Sequence, residues 1–192
     1  MTTAISRYES SPYENELGCG SIAMSEAKSS TSRRRWLWEL VFLMSVVFAV
    51  RAYQQRKLPS GPAPALSGIA LDGARVSLDD YRGRPVLLHF WATWCGVCRA
   101  EQSSIDALAA DAAVLSVASQ SGTVAEVADY VRVHGVKPRV IPDASGALAK
   151  RFGVSLFPTT FVLDGDGEIR HVEVGYTTEL GLRARMWLAG SL

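Results

Sequence analysis

Two hydrophobic patterns divide the chain. Residues 36–50 are apolar almost without interruption, whereas from about residue 65 onward short apolar runs alternate with segments of helical period. In the second part, residues 85–91 (Pro-Val-Leu-Leu-His-Phe-Trp) form a continuous apolar run that predicts a fully buried strand. Residues 99–110 contain helix formers with apolar positions at helical spacing, and 113–118 predict a second buried, parallel strand. Thr123 predicts a helix N-cap, with Glu126 completing a capping box, for a helix that runs to about His134 and is closed by Gly135. A short strand over 140–143, a short helix over 144–152 closed by Gly153, a hairpin from 159–164 to 168–174 and a terminal helix over 177–188 complete the series. Ahead of it, residues 65–70 and 74–78 flank Asp72-Gly73 as a hairpin, and 79–84 connect to the central strand. The pattern predicts an α/β fold with a mixed central sheet, helices on both faces and an N-terminal β-hairpin.

The first part reads differently. Residues 1–32 are rich in Ser, Thr, Glu and Gly with no apolar period, which predicts a disordered tail. Met24 is an alternative start; it would place a short basic leader before the apolar run and remove Cys19. Arg33, Arg34 and Arg35 precede that run, and Arg51, Arg56 and Lys57 follow it. A membrane span takes about 20 residues, so the run is short. Glu39 lies near its basic end, however, Arg51 can snorkel, and Trp36, Trp38 and Tyr53 are aromatic residues of the kind found at membrane interfaces. A signal-peptide core and a buried amphipathic helix are the alternatives, but no small-x-small cleavage site follows. The reading adopted is an uncleaved transmembrane signal anchor over 33–53, a Pro/Gly-rich linker over 54–64 and a domain over 65–192. Basic residues flank both ends almost equally, and the compact arginine triplet favours the N-terminus inside and the domain outside, the orientation that the resemblance given below also implies.

With 192 residues and 48% hydrophobic content, the chain suits one domain plus an appendage. A net charge of +1 leaves no electrostatic footprint for nucleic acid. Residues 1–57 carry 8 Lys/Arg against 5 Asp/Glu and residues 58–192 carry 12 against 14, so a nearly neutral domain follows a basic leader.

The chemistry concentrates at Cys95-Gly96-Val97-Cys98, between the predicted central strand and the following helix. A helix N-terminus favours an anion, so Cys95 is the expected nucleophile; Cys98, one turn on, lies within disulfide reach and can resolve a mixed disulfide. The same spacing serves zinc, but zinc needs two further ligands, and Cys19, His89, His134 and His171 are scattered singly. No metal and no cofactor is assigned. A second class of function, a copper(I) chaperone holding the ion on two thiolates, has no third ligand at a recognisable spacing. A single peroxidatic cysteine preceded by proline and threonine is not present before Cys95.

The run Phe90-Trp91-Ala92-Thr93-Trp94-Cys95-Gly96-Val97-Cys98-Arg99, with Pro158-Thr159-Thr160-Phe161-Val162-Leu163-Asp164 downstream, resembles the thioredoxin superfamily and its membrane-tethered TlpA/ResA/DsbE-like branch over residues 63–190. The resemblance implies a thioredoxin fold, a Cys95–Cys98 redox disulfide, a cis-proline at Pro158 facing the dithiol, and a substrate groove bordered by Trp94, Phe157 and Gly175. From sequence alone Pro158 is an ordinary trans proline opening a strand. Trp91 is expected in the core and Trp94 in the groove wall. His89 replaces the buried carboxylate frequent at this strand position in thioredoxins. It is either a hydrogen-bonded core residue or, with a pKa near the working pH, the base that activates Cys98. Arg99, Glu101, Asp106 and Asp111 read as a solvated face, and His134 and His171 receive no ligand role.

The expected activity is thiol–disulfide exchange on cysteine pairs of extracytoplasmic proteins, more as a reductase than as a disulfide-donating oxidase. Gly96-Val97 lacks the proline common in reducing thioredoxins, which weakens that preference. Partners implied by the resemblance are protein substrates such as apocytochrome c, a transmembrane electron donor that re-reduces Cys95–Cys98, and the bacterial inner membrane through the N-terminal helix.

Overall fold

The computed structural model describes residues 30–55 and 60–191, so the readings for residues 1–29, with Met24 and Cys19, and for residues 56–59 lie outside the described residues, while residues 30–32, expected in the disordered tail, are helical. The chain divides into two compact units, Met1–Phe42 and Leu43–Leu192. Helix α1 (Ser30–Gln55) has 26 residues, and its apolar side chains from Trp36 to Val50 are exposed. Among the described residues no helix is long and apolar enough to cross a membrane. The helix expected at 33–53 therefore forms, but without a full span's length of apolar positions.

Eight strands and four further helices make up the rest of the described chain. A six-stranded sheet has the order β1 (Gly61–Pro62), β8 (Glu168–Val174), β7 (Thr159–Leu163), β4 (Val86–Trp91), β5 (Ala113–Ser119), β6 (Arg139–Asp143). β4, β5 and β6 are parallel, while β7 and β8 run antiparallel to their neighbours. β1 pairs with β8 through Gly61–Ile169 and Pro62–Glu168, so part of the segment read as linker belongs to the sheet. A separate ladder joins β2 (Ser67–Ile69) to β3 (Arg75–Ser77), which a 3₁₀ turn (Leu78–Tyr81) follows. Gly68 of β2 sits where a Cβ would come within 2.7 Å of the Ile141 side chain, so only glycine permits that approach to β6.

Both faces of the sheet are covered. On one, Leu88, Phe90, Leu115, Val117 and Phe161 pack with Leu66 and Val76 and with Ala149 and Phe152, at α4 (Ala147–Arg151) and its C-terminal end. Phe90, Phe152 and Phe161 form a ring cluster with centroids 5.3 to 5.8 Å apart. On the other, Leu87 and Val162 pack under α2 (Gly96–Leu108) and α5 (Glu179–Gly190), and Trp91 packs with the cysteines and with Val127 of α3 (Val124–His134). β4 is buried along its whole length because both its faces carry helices or loops, which is why its sequence is a continuous apolar run rather than an alternating one. At α3, Thr123 and Glu126 form a capping box and Gly135 closes the helix at φ +65°.

Candidate active site

β4 delivers the chain to the sheet's carboxyl edge, and α2 starts after four intervening residues. Cys95 is the N-cap of α2: its backbone is extended, and its sulfur accepts a hydrogen bond from the Cys98 N–H at 3.1 Å. The two cysteines are joined as a disulfide, with Cα atoms 5.3 Å apart. Cys95 is 7% exposed and Cys98 is 2% exposed, so an incoming sulfur reaches Cys95 more readily.

The turn before the dithiol is tied to the loop after β5. The Thr93 N–H donates to the Ser121 hydroxyl, which donates to the Ser119 carbonyl, both at 3.0 Å. Trp94 donates its indole N–H to the carbonyl of Gln120 at 3.0 Å, and Gln120 has φ +51°, unusual for a residue with a side chain. Trp94 remains 63% exposed and meets Phe157 edge to face at 5.8 Å. The Phe157–Pro158 bond is cis, and the Pro158 carbonyl accepts from the Gly175 N–H at 2.8 Å. Pro158, Phe157, Trp94 and Gly175 are therefore brought together by direct contacts. Val97, Leu156 and Tyr176, on the same segments, are exposed apolar side chains. The Trp91 indole donates to Ser116 in the core, and Arg99 is exposed.

At His89 the structure selects between two sequence readings, and at Glu101 it differs from the sequence reading. His89 is buried; its Nδ1 lies 2.9 Å from the Thr160 hydroxyl, and burial pushes its pKa down to about 3. Burial disfavours the charged ring, which fits the reading of His89 as a hydrogen-bonded core residue. Glu101, read as part of a solvated face, is fully buried. Its Oε1 accepts from the Thr177 N–H at 2.8 Å, and its pKa is raised to about 7. Burial is the main cause, with a further contribution from the Glu173 charge; the Thr177 bond opposes both. Charge alone suggested solvent. The signal that finds it is the stripe Cys98, Glu101, Ile105, Leu108, which falls on one buried helix face. Glu101 thus places a carboxyl that titrates near neutrality one turn beyond the buried cysteine. Among the described residues no group of three or more His, Cys, Asp or Glu could hold a metal ion.

A redox pair of cysteines at a helix N-terminus, on an α/β fold with a cis-proline and a mixed sheet of this order, defines a thiol–disulfide oxidoreductase of thioredoxin fold. The chain belongs to the redoxin family, whose family model matches residues 58–184. It is 36% identical over 121 residues to a thioredoxin-like protein of Haemophilus influenzae, covering 62% of this chain and 72% of the relative. It is 31% identical over 144 residues to the thiol:disulfide interchange protein DsbE of Pseudomonas aeruginosa, covering 70% and 80%. A thioredoxin-family thiol:disulfide interchange protein of Chlorobium tepidum matches in structure with a TM-score of 0.59 at 26% identity, covering 68% of this chain and 97% of that one.

Proposed function

We propose that the protein is a membrane-anchored reductase of disulfides in extracytoplasmic proteins. The observation that carries the exchange chemistry is the Cys95–Cys98 pair at the N-terminus of α2, with Cys95 the more exposed of the two. In the reduced protein the Cys95 thiolate attacks one sulfur of a substrate disulfide, and the other substrate sulfur leaves as a thiolate. Cys98 then attacks the Cys95 sulfur of the mixed disulfide and expels the second substrate thiolate. The substrate gains two electrons and the protein keeps the Cys95–Cys98 disulfide. Glu101, with a carboxyl that titrates at about 7, is placed to take the Cys98 proton as that sulfur becomes nucleophilic. A substrate segment docks beside Pro158, with Trp94, Phe157 and Gly175 bordering it.

A transmembrane electron donor returns two electrons to Cys95–Cys98. Anchoring is assigned to residues 33–53, supported by the apolar run of α1 between Arg35 and Arg51, with the domain of residues 65–192 on the periplasmic side. Cytochrome c maturation is a candidate setting, suggested by the likeness to DsbE.

The direction is tested by equilibrating the protein with glutathione or dithiothreitol buffers. A potential near −270 mV, the thioredoxin end of the range, is expected for a reductase, whereas one near −120 mV would make the protein a disulfide donor. Cys98→Ala is expected to accumulate mixed disulfides on Cys95 that mass spectrometry identifies; no adduct, or adducts on other residues, would overturn the assigned roles.

A further inference from the structure

Among the described residues, two buried side-chain atoms have no hydrogen-bond partner in the protein: Nε2 of His89 and Oε2 of Glu101. The fold brings them to one place. In β4, Leu87, His89 and Trp91 point to the same face. Leu87 packs with Ile105 and Leu108 of α2, and Trp91 packs with Cys98. His89 lies between Leu87 and Trp91 in the strand, just as Glu101 lies between Ile105 and Cys98 in the helix, so the two side chains oppose each other across the β4–α2 interface. Each is tied down at its other end, His89 by Thr160 and Glu101 by Thr177. A buried polar atom without a partner is costly, and here two such atoms on facing elements complement each other.

We infer that His89 and Glu101 form one hydrogen-bonded unit, in which a single buried water links Nε2 of the imidazole to Oε2 of the carboxyl, and that His89 is a positioning residue for Glu101. Neither atom has a protein partner, and a buried water is the ordinary partner of such groups. The two protonation states of Glu101 each have a matching tautomer of a neutral ring. When Glu101 is ionised, Nε2–H donates to the water, the water donates to Oε2, and Nδ1 accepts from the Thr160 hydroxyl. When Glu101 is protonated, Oε2–H donates to the water, the water donates to Nε2, and Nδ1–H donates to Thr160. The added proton sits on the carboxyl, and the ring stays neutral throughout. The other charged groups on this face are engaged elsewhere or farther along: Glu173 of β8, opposite Thr160, is paired with Arg185 of α5 at 2.7 Å, and His171 lies opposite Val162.

The unit belongs to the resting oxidised protein and does not depend on the direction of exchange. It is tested on the full chain in detergent, oxidised and labelled with ¹⁵N-histidine, by long-range ¹H–¹⁵N correlation between pH 5 and 9. The His89 nitrogens are expected to interchange pyrrole-type and pyridine-type shifts with a midpoint near the Glu101 titration at about 7. In Glu101→Gln the tautomer is expected to stay fixed. A tautomer that does not change with pH in the wild-type protein overturns the unit whether or not the variant folds; an unchanged titration in Glu101→Gln overturns it too. Insulin-disulfide reduction by the same sample reports separately on the exchange reading, because an inactive protein with a titrating tautomer would sink that reading alone.

Discussion

Replacing Glu101 by glutamine removes a buried carboxyl whose folded pKa, about 7, lies above its ordinary value. A raised carboxyl pKa means that the folded protein binds more protons than the unfolded chain between about 4.5 and 7. The stability contributed by Glu101 is therefore full below that window and falls as pH rises through it, by an amount on the order of 3 kcal/mol. His89 acts oppositely: its depressed pKa of about 3 means that stability rises with pH from there to about 6.5. The difference between the wild-type protein and Glu101→Gln isolates the carboxyl. In oxidised samples unfolded by urea, Glu101→Gln is expected to gain on the wild type between pH 5 and pH 8; a constant difference would show that the carboxyl titrates normally. Cysteine spacing made Cys95 and Cys98 legible in the sequence, because a covalent pair three residues apart at a strand–helix junction needs little else. Glu101 was not legible as a site residue: its charge argued for solvent, and only the packing of α2 against β4 and α5 removes it from water.

At the scale of elements, local chemistry set most boundaries. Thr123 accepts from the Glu126 N–H at 3.3 Å, and the Glu126 carboxylate accepts from the Thr123 N–H at 2.7 Å, as the capping-box pattern predicts. Thr123→Ala is expected to lower stability by about 1 kcal/mol in denaturant titration, and an unchanged midpoint would mean that tertiary contacts alone hold the start of α3. The boundaries that moved did so for tertiary or backbone reasons. Helix α4 begins at Ala147 rather than near residue 144, because Gly146 is left-handed at φ +70° and the Asp143 carboxylate accepts from the Leu148 and Ala149 N–H groups. Helix α2 begins at Gly96 because Cys95 itself is the cap. The short strand Gly61–Pro62 has no apolar pattern and exists through its pairing with β8.

Over the whole molecule, the aromatic cluster beneath the sheet binds α4 to the strands that carry the site. Phe152→Ala is expected to cost about 3–5 kcal/mol by denaturant titration, since Phe152 is fully buried against Phe90 and Phe161; a loss under 1 kcal/mol would show that the layer repacks around the space. The alternation of apolar runs and helical periods was enough to establish a mixed α/β sheet, because period and burial are linked in each element separately. By itself the sequence determined the dithiol, its place at a helix start, the order of elements from residue 65 onward and the capping of α3, since each depends on residues close together in the chain. The tertiary structure alone decided that Gly175 meets Pro158 and Phe157 meets Trp94, that burial disfavours a charged His89 and that Glu101 is buried, because each of these depends on which distant segment packs against it and excludes water.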